Sequence, residues 1–249
     1  MLAFHNNPEI KARYVARMKL HRSMDELRRG VYWNGYRGCA VGCTIEQQSD
    51  VHKRFEEELG IPESLVYLED VLFESMTWER ALDFPIFFLE IIKEGADLSD
   101  VFDKFVLRVL MDNTYGLYWI ASESTRGIIG HLVSIINRKL KGEVVSIETW
   151  ENMVGLCSLG VSAIDIGRCD RGHIYSERAI FKFISYYTYN EPDIMTAVTY
   201  SATAYSYDSE SFYPYKMERW MDYMAGKLLK FLEDAPVVNM LTEVRNVER

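Results

Sequence analysis

No apolar run in this chain approaches the roughly 18–20 residues that a membrane-spanning helix needs. The longest uncharged stretch of large apolar residues runs only from Phe84 to Leu89 and contains Pro85. Proline is scarce, at 6 of 249 residues, while 13% of the residues are aromatic and 48% are apolar, which excludes a disordered chain and leaves ample material for a core. Cysteine numbers only 4, too few for a disulfide scaffold over this length. The first residues, Met1 to Pro8, lack a basic region, an apolar region and a small-residue cleavage site. Free thiols in a cytoplasmic protein are therefore expected. Basic charge is also in deficit: 28 Lys and Arg face 37 Asp and Glu, for a net charge of −9. Such a balance repels nucleic-acid phosphates, which bind through Lys and Arg.

The charge that is present is unevenly placed. Residues 9–29 hold seven Lys/Arg against three acids, and residues 46–104 hold sixteen acids against five Lys/Arg. An acidic surface of this kind suits a basic protein partner, and Glu56, Glu57, Glu58, Asp83 and Asp100 are the residues expected to meet it. The sixteen tyrosines and five tryptophans put some aromatics at the surface, where they anchor self-association, so a homodimer fits as well.

Helical periodicity dominates. Asn7-Pro8-Glu9 reads as a cap, a first-turn proline and a first-turn acid, opening a helix to about Arg29 that Gly30 ends. A short helix follows over Cys39 to Thr44, another from Ser49-Asp50 to Gly60, and a third from Pro62-Glu63 with Leu65, Leu68 and Leu72 on one side. Thr77 caps a segment that Pro85 should break into two abutting helices. Leu98, Val101, Phe102, Phe105, Val106 and Val109 recur at i, i+3, i+4, i+7 behind Asp97. Further stripes start at Ser124 (Ile129, Leu132, Ile136), at Ser146 (Trp150, Met153, Cys157) and near Met217 (Trp220, Met221, Met224, Leu228). Glu143 to Ile147 is β-compatible, and Ala197 to Tyr207 reads as a helix rich in small residues. With no repeat and no linker, the expected fold is all-α: one compact domain of about ten helices over residues 1–249, with a soft division near 112–124.

The densest unusual segment is Gly38-Cys39-Ala40-Val41-Gly42-Cys43-Thr44, followed by His52. One helical turn would place Cys39 and Cys43 on one face about 6 Å apart. Three chemistries fit. A helix N-terminus could activate Cys39 as a nucleophile with His52 as its base. Cys39 and Cys43 could join His52, or Cys169 and His173, around zinc. Or the glycines could let two backbone segments pack closely over small buried cysteines. No Walker loop, GxGxxG, HExxH, GxSxG or EF-hand loop occurs, and no cofactor is expected. Glu69-Asp70 and Glu56-Glu57-Glu58 resemble metal carboxylates only superficially, since the Glu-x-x-His of di-iron bundles is missing; they read as exposed acids. Arg168 to His173 reads as a loop between helices.

At Gly38 to Thr44, at Glu58-Leu59-Gly60-Ile61-Pro62, and at Leu68-Glu69-Asp70 with Phe73-Glu74, the chain resembles an uncharacterised helical family of phage, prophage and bacterial genomes. The likeness lies within about the first 110 residues and includes Asn7-Pro8, Ile10-Lys11 and Gly95-Ala96-Asp97-Leu98. That family has no assigned activity, so no functional residue carries over. What the resemblance implies is a phage-type accessory protein that binds a host protein, such as a defence protein. The expected function is thus non-enzymatic protein binding through the acidic surface; the alternative is a thiol enzyme or metal module centred on Cys39, Cys43 and His52.

Overall fold

A computed structural model describes residues 2–162, 170–189, 193–208 and 211–238. Among these the chain is all-α, with twelve α-helices and one two-residue antiparallel hairpin, Tyr207–Asp208 with Ser211–Phe212. No helix of the described residues is long and apolar enough to cross a membrane. Backbone contacts gather into two compact units: residues 1–74, 78–102 and 228–249 form one, and residues 75–77 and 103–227 the other. The soft division read near 112–124 falls inside the second.

In the first unit, α1 (Pro8–Ser23) begins as its sequence prescribes, with Asn7 Oδ1 accepting from Glu9 N at 2.9 Å and Pro8 in the first turn. It stops six residues short of Arg29. Asp25 turns the chain at φ 54°, after which Leu27 is buried and bridges to Gly38. Burying Leu27 against a returning segment outweighs extending a solvated helix. α2 (Ala40–Ile45) follows with Cys39 at its N-cap, then α3 (Val51–Leu59), which Gly60 ends in the left-handed conformation. α4 (Glu63–Ser75) buries Leu65, Leu68 and Leu72 as expected. α5 (Trp78–Ala81) and α6 (Phe84–Ile91) are the two abutting helices that Pro85 requires, with the proline in the first turn of α6.

α1 packs on α2 and α6, and α3 on α2. Phe4, Tyr14, Met18, Phe55, Leu59 and Phe88 fill the interior. One segment is held from two sides: Ala3 N donates to Ala96 O at 3.0 Å and Gly95 N to Ala3 O at 2.9 Å, while Asp97 N donates to Pro236 O at 2.8 Å and Val238 N to Gly95 O at 3.1 Å.

The second unit holds most of α7 (Val101–Met111), α8 (Glu123–Leu140), α9 (Ile147–Ser162), α10 (Arg171–Tyr189), α11 (Ile194–Ser206) and most of α12 (Pro214–Glu233). The α7 stripe is buried throughout. Ser122, not Ser124, caps α8, its Oγ accepting from Thr125 N. The β-compatible stretch at 143–147 forms no strand, and Val144 is 95% exposed. Ala197, Ser201, Ala202 and Ala204 are buried where α11 lies along α10, the close approach their size permits. Three carboxylates organise this unit. Asp112 accepts from Thr114 N, Tyr115 N, Tyr223 Oη and Arg108. Asp103 accepts from Lys139 and Tyr187, whose ring stacks on Trp150 at 4.5 Å. Glu177 Oε1 accepts from Thr125 Oγ1 at 2.6 Å.

Candidate functional site

The segment that stood out in the sequence forms a corner of the first unit where the 28–37 loop, α2 and α4 meet. The loop leaves Leu27, doubles back at Gly30 and Gly35, and returns to Gly38. Arg28 N donates to Gly38 O at 2.7 Å, Gly38 N to Glu26 O at 3.2 Å, and Cys39 N to Val31 O at 2.6 Å. Asn34 Oδ1 fixes the tip by accepting from Tyr36 N and Arg37 N. Gly38 and Gly42 are required here: a methyl group at either would overlap the Tyr32 carbonyl. The glycines of the Gly38 to Thr44 motif thus let the loop lie directly on α2, the close-packing reading of that segment.

Under the loop both thiols are buried. Cys43 Sγ donates to Gly38 O at 3.3 Å, and burial pushes this thiol up to about 12. Cys39 goes higher. Burial is the main cause, Asp70, Glu69 and Glu74 add to it, and the Gly42 backbone N–H opposes it only in part. The helix N-terminus that would activate a thiolate is present, but the acids around Sγ act in the opposite sense.

Those acids come from α4. Asp70 and Glu74 stand one turn apart on the same side of the helix. Cys39 Sγ and one oxygen from each of these two carboxylates all lie within 4.8 Å of one another. His52, from α3, lies beside Asp70 with Nε2 3.0 Å from Oδ2, and stacks on Tyr67 at 4.1 Å between ring centres. The Tyr32 ring also meets the imidazole, nearly perpendicular to it, at 5.6 Å between ring centres. Burial, with the Asp70 charge, raises the Tyr32 hydroxyl to about 12. Glu74 accepts from Gly30 N through both oxygens at 3.0 Å, and Arg29 Nε donates to the Phe73 carbonyl, so the loop is tied to the end of α4. Burial raises Glu74 above its ordinary range despite the Gly30 N–H.

Glu69 is the least expected member. It is 1% exposed, and its Oε2 has no hydrogen-bond partner. Burial first, then the charges of Asp70 and Glu74, hold its carboxyl well above the usual range. The reading of Glu69-Asp70 as exposed acids is therefore wrong: both are buried, within a helix that buries nearly every residue from Leu65 to Phe73.

The other sequence candidates separate. Among the described residues, Cys43, His52 and His173 do not join the Cys39, Asp70 and Glu74 set. His173 is half-buried in the first turn of α10, and Cys169 lies outside the described residues. Of the acids expected at a docking face, Glu58 accepts from Tyr14, Glu56 accepts from Glu63 N at 2.7 Å, and Asp83 accepts from Arg22 at 2.8 Å. Glu57 is exposed, with Lys53 at 3.7 Å, and Asp100 is half-buried.

No family model, curated protein or solved structure matches this chain.

Proposed function

We propose that this is a non-enzymatic protein-interaction protein whose contact surface is the Arg28 to Arg37 loop with the adjoining end of α1. The observation that carries this reading is large side chains held in water on a backbone that is itself fixed. Tyr36 is 58% and Tyr32 40% exposed, Val31 is exposed beside them, and Leu20 and Met24 are exposed one turn apart at the end of α1. Trp33 meets the edge of His21 at 5.2 Å and links the loop to that helix. Tyr, Trp and Arg are the side chains that dominate binding hot spots, and a pre-ordered loop loses little entropy on docking. The acidic face read from sequence contributes less, because Glu56, Glu58 and Asp83 are engaged within the fold.

A photo-crosslinking side chain placed at Tyr36 tests this in producing cells, with the same probe at exposed Val144 as the control. One discrete protein adduct is expected at position 36, absent at 144 and lost when Tyr32→Ser is added. Equal labelling from both positions, or none from position 36, overturns the proposal.

A further inference from the structure

The buried cluster beneath the loop is too acidic to be a passive core. Cys39, Glu69 and Asp70 are each at most 2% exposed, and Glu74 is half-buried beside them. Packed apolar side chains would stabilise this corner better than four acidic groups, unless something neutralises them. Inside the fold, His52 lies against Asp70, and the Gly30 N–H and the Arg29 charge serve Glu74. Glu69 Oε2, buried and without a partner, has none of these.

Geometry supplies the missing element. Three donor atoms from two directions converge within 4.8 Å: a sulfur at the N-cap of α2 and two carboxylates one turn apart on α4. We propose that Cys39, Asp70 and Glu74 bind one divalent transition-metal ion, zinc by preference, with a water entering past the half-buried Glu74 as the fourth donor; Glu69, next to Asp70 on α4, is not one of the converging ligands. The thiolate selects a borderline-soft ion over magnesium or calcium, and mixed sulfur and carboxylate sets fall within zinc's range. His52 is a positioning residue, holding Asp70 from behind as outer-shell partners of metal ligands do. Binding transfers the Cys39 proton to solvent, and the metal charge replaces it. The half-buried Glu74 edge is the route of entry.

The sequence allowed zinc among Cys39, Cys43, His52, Cys169 and His173, so the present set shares only Cys39 with that reading. It stands independently of the docking surface: a loop that binds no partner leaves the metal proposal untouched, and the reverse holds too.

Full-length protein, stripped with chelator and then dialysed against zinc, is expected to retain one equivalent by elemental analysis. Cobalt substitution is expected to give a near-ultraviolet thiolate-to-metal charge-transfer band. Cys39→Ser should abolish that band, and Glu74→Gln should weaken zinc binding at least tenfold, each with an unchanged circular-dichroism spectrum. Cys43→Ser should leave both properties as they are. If Cys39→Ser fails to fold, Glu74→Gln together with Cys43→Ser carries the test, because Glu74 is half-buried. Folded wild-type protein that retains no zinc at micromolar concentration overturns the proposal. So does a charge-transfer band that survives Cys39→Ser, or one that disappears with Cys43→Ser.

Discussion

The Nε2 of His52 lies 3.0 Å from Asp70 Oδ2, and both side chains are buried, although eighteen residues and two helix ends separate them. A carboxylate 2% exposed depends heavily on such a donor. Truncating one partner leaves the other buried and unsatisfied, a loss of about 1.5–3 kcal/mol for a hydrogen bond to a charged group. His52→Ala is therefore expected to lower the denaturant midpoint with the slope unchanged. In the Asp70→Asn background the further loss should shrink to under about 1 kcal/mol. Equal losses in both backgrounds would mean that the two side chains do not act together.

Gly42→Ala should be far worse than an ordinary glycine replacement inside a helix, which usually stabilises. The added methyl meets the Tyr32 carbonyl, a backbone atom that cannot rotate away. Displacing the loop should cost roughly 1–3 kcal/mol, as overpacking does. Gly226→Ala, where a methyl meets open space, is the control and should be neutral or stabilising in thermal unfolding.

Acid should weaken the second unit through Asp112. Burial alone would raise this carboxyl, but the Thr114 and Tyr115 N–H groups, Tyr223 and Arg108 hold it below the ordinary value of 3.8. A depressed folded-state pKa contributes stability above 3.8, and that contribution is lost as pH falls through the folded value. Asp112→Asn should flatten the stability curve below about pH 4 and lower the plateau above it. A variant curve parallel to the wild type throughout would remove Asp112 from the account.

The buried thiols should be inert in the folded protein. Cys43 and Cys157 are both pushed up to about 12 by burial, so at pH 7 only about one molecule in 10⁵ carries the thiolate. Alkylation followed by peptide mapping is expected to leave Cys39, Cys43 and Cys157 unmodified in native protein and to label them fully in denaturant. Rapid native labelling at Cys39 would favour the nucleophile reading over a thiol enclosed by acids.

The helices were legible because their apolar spacing is a local property. Every member of the Leu98 to Val109 stripe is buried, and Pro85 and Gly60 act where their backbone chemistry requires. The end of α1 was not legible, because Leu27 is drawn to Gly38, a contact that no local pattern encodes. At the site, the sequence singled out the glycine and cysteine segment and His52, and the fold sets Cys39 and His52 beside Asp70. Asp70 and Glu74 were missed because an acid pair one turn apart is ordinary on a solvated helix. A signal was present nonetheless: from Leu65 to Phe73 the only residues outside the apolar set are Tyr67, Glu69 and Asp70, which leaves the two acids no polar face to share. Glu58 reads as surface charge for a related reason, since its partner Tyr14 is 44 residues away.

The segment Gly95 to Asp97, gripped by Leu2 and Ala3 on one side and by Pro236 to Val238 on the other, imposes an order of events on biosynthesis. On the ribosome, residues 103–227 emerge as an almost uninterrupted stretch and can settle as soon as they are clear of the exit tunnel. The earlier-made half must wait for its last backbone partners until residue 238 has been translated. Messages truncated before that point should yield nascent chains whose first hundred residues stay open to chaperones and proteases.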